Sequence, residues 1–140
     1  MLSKDNIEII EFENTKELYQ FLEDTTAMEH LWIFFNTPID IVPEDNIGYV
    51  IIVDDLVVGA ASIYDEGNGT IFNELFEIRE DYRGQGLARM LYEYIKEDTM
   101  CSAVHGFCTN DDNQSFWEHM GQRCIDPEKR EMIEIIDEED

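Results

Sequence analysis

The chain has 140 residues, enough for one domain with a real core, and its 44% apolar and 11% aromatic content excludes a disordered polymer. Its 33 acidic against 9 basic side chains leave a formal charge of −24, a field that repels nucleic-acid phosphates and anionic membrane surfaces. Neither is expected as a direct partner. Along the chain, Ile7 to Glu13 alternates apolar and polar residues as a half-buried strand does. Asn14-Thr15-Lys16-Glu17 then reads as a capping box, opening a helix with Leu18, Phe21 and Leu22 as its inner stripe. Ala27 to Phe35 is apolar enough for a second helix, and Pro38 and Pro43 mark a loop. Within it Trp32, Phe34 and Phe35 are expected in the core or in a pocket wall.

Tyr49 to Val53 and Leu56 to Tyr64 flank Asp54-Asp55 as a β pair, and Gly67-Asn68-Gly69 leads into a strand from about Thr70 to Ile78. The period then switches: Leu87, Ala88, Leu91, Tyr94 and Ile95 recur at helical spacing. Ala103 to Cys108 is a short strand, and Asn110, Asp111 and Asp112 offer caps for a helix running to about Met120, which Gly121 ends. Glu131 to Ile136 alternates as a last strand before the acidic tail Asp137 to Asp140. The order predicts a mixed α/β fold, a single domain over residues 1–140 around one central sheet.

No apolar run approaches the roughly 18 residues of a membrane span, and the segment Met1 to Asn6 lacks the apolar stretch of a secretory signal. Cys101, Cys108 and Cys124 are too few for a disulfide scaffold, so a reduced, cytoplasmic protein is expected. Cys101, His105 and Cys108 have ligand chemistry, but an extended strand sends their side chains to opposite faces, and no metal is expected. The acidity has three readings: a solvated or salt-adapted surface, a field for cationic partners, or mimicry of a nucleic-acid surface. Composition does not choose among them.

The segment richest in chemistry is Arg83-Gly84-Gln85-Gly86-Leu87-Ala88, set between a strand and a helix. Glycines let backbone approach a ligand closely, and the helix start offers free N–H groups at a positive dipole end. Arg79, Arg83, Arg89 and Lys96 gather here in a chain with only 9 basic residues, which points to a phosphate-bearing ligand. A P-loop is excluded because Ala88-Arg89 stands where Lys and Ser or Thr are needed, and a dinucleotide fingerprint lacks its third glycine.

The stretch Ile78 to Ala88 resembles the acetyl-CoA-binding motif of the GNAT N-acetyltransferase superfamily, Arg/Gln-x-x-Gly-x-Gly/Ala. Asn110, Phe116-Trp117 and Gly121-Gln122 resemble, more weakly, its second signature. The resemblance implies a mostly antiparallel twisted sheet of about six to seven strands flanked by about four helices. It implies a pyrophosphate held on the amides of Arg83, Gly84, Gln85, Gly86, Leu87 and Ala88, with Arg89 beside them. A pantetheine arm would lie along Phe76 to Ile78, with Ile78 using its backbone, and Asn110 and Trp117 would complete the cofactor site.

The implied reaction is attack of a primary amine on the thioester of acetyl-CoA, which requires a proton to leave an ammonium. Glu74, Glu77 and His105 are the candidate bases. Family members often return the proton with a tyrosine where this chain has Trp117, so Tyr82 or Tyr92, or water, would have to serve. Gln122 likewise replaces a usual phenylalanine. The acidic field favours a cationic acceptor: a polyamine, an aminoglycoside-like amine, a lysine or a protein N-terminus. A homodimer is left open. The competing reading is a catalytically silent, acidic GNAT-fold binding protein or decoy on a basic partner surface.

Overall fold

The computed structural model of the chain describes residues 6–136, so the acidic tail and all but the last residue of the segment Met1 to Asn6 lie outside it. Strand β1 (Ile7–Phe12) ends where Asn14 caps helix α1 (Thr15–Asp24): its Oδ1 accepts from the Glu17 amide at 2.9 Å. Glu17 answers on the Asn14 side-chain amide at 3.5 Å rather than on its backbone. The apolar stretch from Ala27 does not form the single helix expected. It divides at Leu31, with φ −117° and ψ 88°, into a 3-10 turn (Ala27–His30) and one α-helical turn, α2 (Trp32–Phe35). Leu31 and Phe34 are buried, while Trp32 and Phe35 remain 73% and 66% exposed.

Strands β2 (Ile47–Val53) and β3 (Leu56–Gly67) form a hairpin whose turn residues, Asp54 and Asp55, both have positive φ, 50° and 68°. Such a turn matches the twist of the strands, and short polar side chains tolerate it. Strand β4 (Thr70–Ile78) is followed by a 3-10 turn (Glu80–Tyr82), the glycine loop and helix α3 (Leu87–Thr99). The buried stripe of α3 is Leu87, Leu91, Tyr92 and Ile95, whereas Tyr94 is 37% exposed. Strand β5 (Ala103–Phe107), helix α4 (Asp111–His119), and strands β6 (Arg123–Asp126) and β7 (Glu131–Ile135) complete the chain.

The sheet has seven strands in the order β1-β2-β3-β4-β5-β7-β6, all neighbours antiparallel except β4 and β5. Leu18, Leu22, Leu31 and Phe34 pack with Val50, Ile52 and Ala60 in one core cluster; Leu87, Leu91, Ile95 and Trp117 pack with Tyr49, Ile51 and Ile63 in the other. Alternation along β2 sends successive residues to opposite faces. Among the described residues no helix is long and apolar enough to cross a membrane.

What positions the site is the contact between β4 and β5. It runs only from Thr70↔Ala103 to Phe72↔His105, after which the strands part. Just beyond that point β4 carries a bulge: Ile63 pairs with Asn73 and Ser62 with Leu75, which leaves Glu74 as the extra residue. A bulge bends a strand and raises its twist. The stretch from Asn73 to Ile78 therefore keeps only β3 as a strand partner and presents its other edge to a cleft.

Gly59 fits β3 closely under this edge. A Cβ there would meet Ile78 Cδ1 at 2.6 Å and the Glu77 carbonyl oxygen at 2.9 Å. The backbone oxygen cannot move without shifting β4. Gly59→Ala should cost about 1–3 kcal/mol. Equilibrium urea unfolding checks this, and a variant as stable as wild type would contradict the packing.

Candidate active site

The glycine loop takes the shape its sequence allows. Gly84 and Gly86 both have φ +83°, and no atom lies within 4 Å of where a Cβ would project at either position. Among the described residues the amides of Gly84, Gln85 and Gly86 donate to no protein acceptor. The next three, Leu87 to Arg89, are the first-turn donors that any helix leaves open. Arg83 Nε donates to the Ile78 carbonyl at 2.8 Å and ties the loop to the end of β4. Arg89 donates to the His119 carbonyl at 3.0 Å, joining α3 to the end of α4.

A cavity of about 600 Å³ opens over these amides. Phe76, Ile78, Arg83, Gly84, Gly86, Leu87, Ala88, Arg89 and Trp117 line it, as does Tyr82. Gln85 and Asn110 do not line it. Asn110 is the N-cap of α4, its Oδ1 accepting from the Asn113 amide at 2.8 Å. Asn113, one turn into the helix, lines the cavity instead. A residue strong enough as a cap is spoken for, and that was the only sequence signal for the exchange.

Trp117 is buried in an aromatic cluster, with ring centroids 5.0 Å from Phe76 and 5.2 Å from Tyr92. Tyr92 does not line this cavity. Its hydroxyl donates to Glu134 at 2.6 Å and accepts from Gln122 Nε2 at 3.1 Å, while Lys96 reaches the same carboxylate at 3.1 Å. Burial, reinforced by Glu134, pushes the Tyr92 phenol well above its usual range. Gln122 thus stands in a buried polar network, which accounts for an amide where an aromatic side chain was expected. Of the two phenols considered for proton return, only Tyr82 faces the cavity.

A larger cleft of about 1150 Å³ adjoins the first and shares Ile33, Phe76, Glu77, Arg83, Asn113 and Trp117 with it. Trp32, Phe35 and Phe107 give it aromatic walls, Glu29, Glu74, Glu80 and Asp81 give it carboxylates, and His30, Arg79 and Arg83 are its basic side chains, Arg79 being paired with Asp81 at 2.7 Å. Asn73 lines it where β4 and β5 part, and its Oδ1 is buried with no partner among the described residues.

Of the three candidate bases, Glu74 and Glu77 line the larger cleft and His105 stands apart. Glu74, the bulge residue, lines the larger cleft, and burial raises its carboxyl above the ordinary value. Glu77 is buried against α2: its Oε1 accepts from the amides of Ile33 at 2.8 Å and Phe34 at 3.4 Å. Its carboxyl is raised by burial, which outweighs the opposing pull of the α2 amides and of Arg83.

His105 lines neither cavity. Its Nδ1 lies 3.1 Å from Glu66 and its Nε2 2.7 Å from Glu131. Burial pushes its basicity down, but the two carboxylates outweigh burial and the net shift is upward from 6.5. The charged ring is therefore favoured in the fold. Its stabilisation is complete below the ordinary histidine value and is lost as pH rises through the higher folded one. His105→Gln should lower Tm most near about pH 6 and progressively less toward about pH 9. A Tm difference constant over that range would rule the clamp out.

The fold recurs in solved proteins. Three crystal structures illustrate it. The ribosomal-protein-S18-alanine N-acetyltransferase from Escherichia coli has a TM-score of 0.70 at 14% identity, covering 96% of each chain. A GNAT-family acetyltransferase from Staphylococcus aureus has a TM-score of 0.63 at 16% identity, covering 94% of this chain and 99% of that one. A GNAT-family acetyltransferase from Elizabethkingia anophelis with acetyl-CoA bound has a TM-score of 0.56 at 12% identity, covering 88% and 80%. At such identities the likeness is one of fold. Among curated proteins none matches the sequence significantly. The sequence pattern of the Acetyltransferase (GNAT) family, however, matches residues 7–122, from β1 through the glycine loop to the end of α4 and Gln122. A glycine loop with open amides beside a parted β4–β5 pair is thus found in a chain that belongs to the GNAT acetyltransferase family.

Proposed function

We propose that this chain transfers the acetyl group of acetyl-CoA to a primary amine on a cationic acceptor. The observation that carries the reading is the meeting of two unlike cavities at Phe76, Glu77 and Trp117. One presents open backbone donors and arginines, as a pyrophosphate requires. The other, though Arg79 pairs with Asp81 at its rim, presents the carboxylates of Glu29, Glu74 and Glu80 and aromatic faces, which suit a cation. The glycine loop fits the cofactor on this chain's own geometry, because its donors have no protein acceptor and nothing fills the space before Gly84 and Gly86.

Bound there, acetyl-CoA supplies an acetyl thioester at the junction of the cavities. Glu74 takes a proton from the ammonium, directly or through water, and its raised carboxyl is better matched to that task than an exposed one. Tyr82 returns a proton to the departing sulfur in place of the tyrosine that Trp117 replaces. Of the two protons the ammonium loses, one goes to sulfur and one to water. A polyamine, an aminoglycoside-like amine, a lysine and a protein N-terminus all meet these demands; the Escherichia coli neighbour named above acts, by its name, on a protein alanine.

Two measurements test this. Ligand at about 100 times its dissociation constant stabilises a fold by about 2.7 kcal/mol, so acetyl-CoA should raise Tm clearly and desulfo-CoA nearly as much. Free thiol should then appear when spermine or an N-terminal peptide is added. No Tm shift at millimolar acetyl-CoA would overturn the cofactor reading; a shift with no thiol release across an amine panel would favour the silent binding protein.

A further inference from the structure

Helix α2 is a single turn, far too short to persist by itself. Its own N-cap residue, Leu31, makes no capping side-chain hydrogen bond. The amides at its start are held instead from β4, 43 and 44 residues further along the chain, by Glu77 Oε1. The residues on either side of those amides, Trp32 and Phe35, form the aromatic wall of the larger cleft. The other carboxylate oxygen of Glu77 lies 3.9 Å from Arg83 Nη2. Arg83 begins the glycine loop, is anchored through Nε to Ile78, and has a side chain 55% exposed that lines both cavities. One buried carboxylate therefore holds the aromatic wall of the larger cleft and faces, at 3.9 Å, the arginine where the two cavities meet.

We propose that Glu77 is a positioning residue that couples the two cavities: an anion taken on the glycine loop draws the Arg83 guanidinium away from Glu77, and the carboxylate then tightens on the α2 amides and orders the Trp32–Phe35 wall. This rests on the reading of the smaller cavity as the CoA site. Electrostatics sets the direction. Glu77 is 4% exposed, and in a poorly screened interior its charge is shared between Arg83 and the α2 amides; an anion that competes for Arg83 leaves more of it to the amides. The assignment also separates Glu77 from the proton transfer, which is left to Glu74.

Hydrogen exchange of the peptide spanning residues 27–37, measured by mass spectrometry on the full chain with and without saturating CoA, tests the coupling, while calorimetry on the same samples verifies that CoA binds. In the wild type CoA should slow exchange of this peptide about fivefold or more, the lower end of ordinary coupling between sites. Glu77→Gln keeps an oxygen for the Ile33 amide, so protection without CoA should persist and the response to CoA should vanish. Glu77→Leu should exchange fast under both conditions. Arg83→Met, whose side chain is largely exposed, asks the same question from the other end and stands in where the leucine variant fails to fold. It should bind CoA more weakly and show no response at saturation. CoA bound to the wild type with exchange of the peptide unchanged, or a response of wild-type size in Glu77→Gln or Arg83→Met, overturns the coupling and leaves the cofactor site standing. Absence of any CoA binding overturns both.

Discussion

Glu74→Gln should lower turnover about 100-fold or more at neutral pH, with acetyl-CoA binding nearly unchanged. The substitution keeps the size of the side chain at the β4 bulge and removes only its ability to take a proton. An alkyl ammonium with a pKa near 10.4 is neutral in about one molecule per thousand at pH 7.4, so an unassisted enzyme works on that small fraction. Raising pH toward about 9.5 lifts it roughly 100-fold, and the variant should recover by a similar factor. The wild type should also lose activity as pH falls through the raised Glu74 value, because protonation removes the base, and the variant should lack that limb. Steady-state kinetics across this range measures both effects. A variant with wild-type rates throughout would show that the proton leaves by another route, and Glu77→Gln and His105→Gln then become the comparisons of interest.

Much of this site was legible in the sequence because it rests on local rules. A switch from alternation to helical spacing brackets Arg83 to Ala88, and that bracket alone places open amides at the head of α3. The capping pattern at Asn14 and the polar cap at Asn110 act within one helical turn and appear where expected. What escaped depends on contacts distant in sequence. Glu77 looks like any strand carboxylate until α2, more than 40 residues earlier, is seen to lay its amides on it. His105 has the chemistry of a base, and only the register of β5 against β7, together with the end of β3, shows both its nitrogens engaged. The apolar run from Ala27 suits a continuous helix by composition. It is interrupted at Leu31, and the amides of Ile33 and Phe34, which a continuous helix would turn inward to residues four earlier, go instead to Glu77, a partner that no periodicity reports. Gln122 read as a departure from a family pattern; packing shows it satisfying a buried phenol.

Gly86→Asp should weaken CoA binding about 1000-fold while leaving the fold close to its original stability. A residue other than glycine at φ +83° costs about 1–2 kcal/mol, and aspartate, whose short polar side chain tolerates the left-handed region, lies at the low end of that range. The open space before Gly86 accommodates the side chain in the free protein. The ligand then meets both an occupied cradle and a like charge. Two unit charges about 4 Å apart near a protein surface repel by about 4 kcal/mol, which corresponds to roughly three decades in affinity. Gly86→Ala separates shape from charge: it carries the strain and the Cβ without the carboxylate, and should lose far less. The gap between the two variants should shrink with salt, since the screening length falls from about 10 Å at 0.1 M to about 3 Å at 1 M. Calorimetric titration of CoA into both variants, with Tm as the control for folding, decides the matter. If Gly86→Asp is folded and binds CoA within about tenfold of wild type, the pyrophosphate does not lie on these amides, because no charge placed among them could be so cheaply ignored.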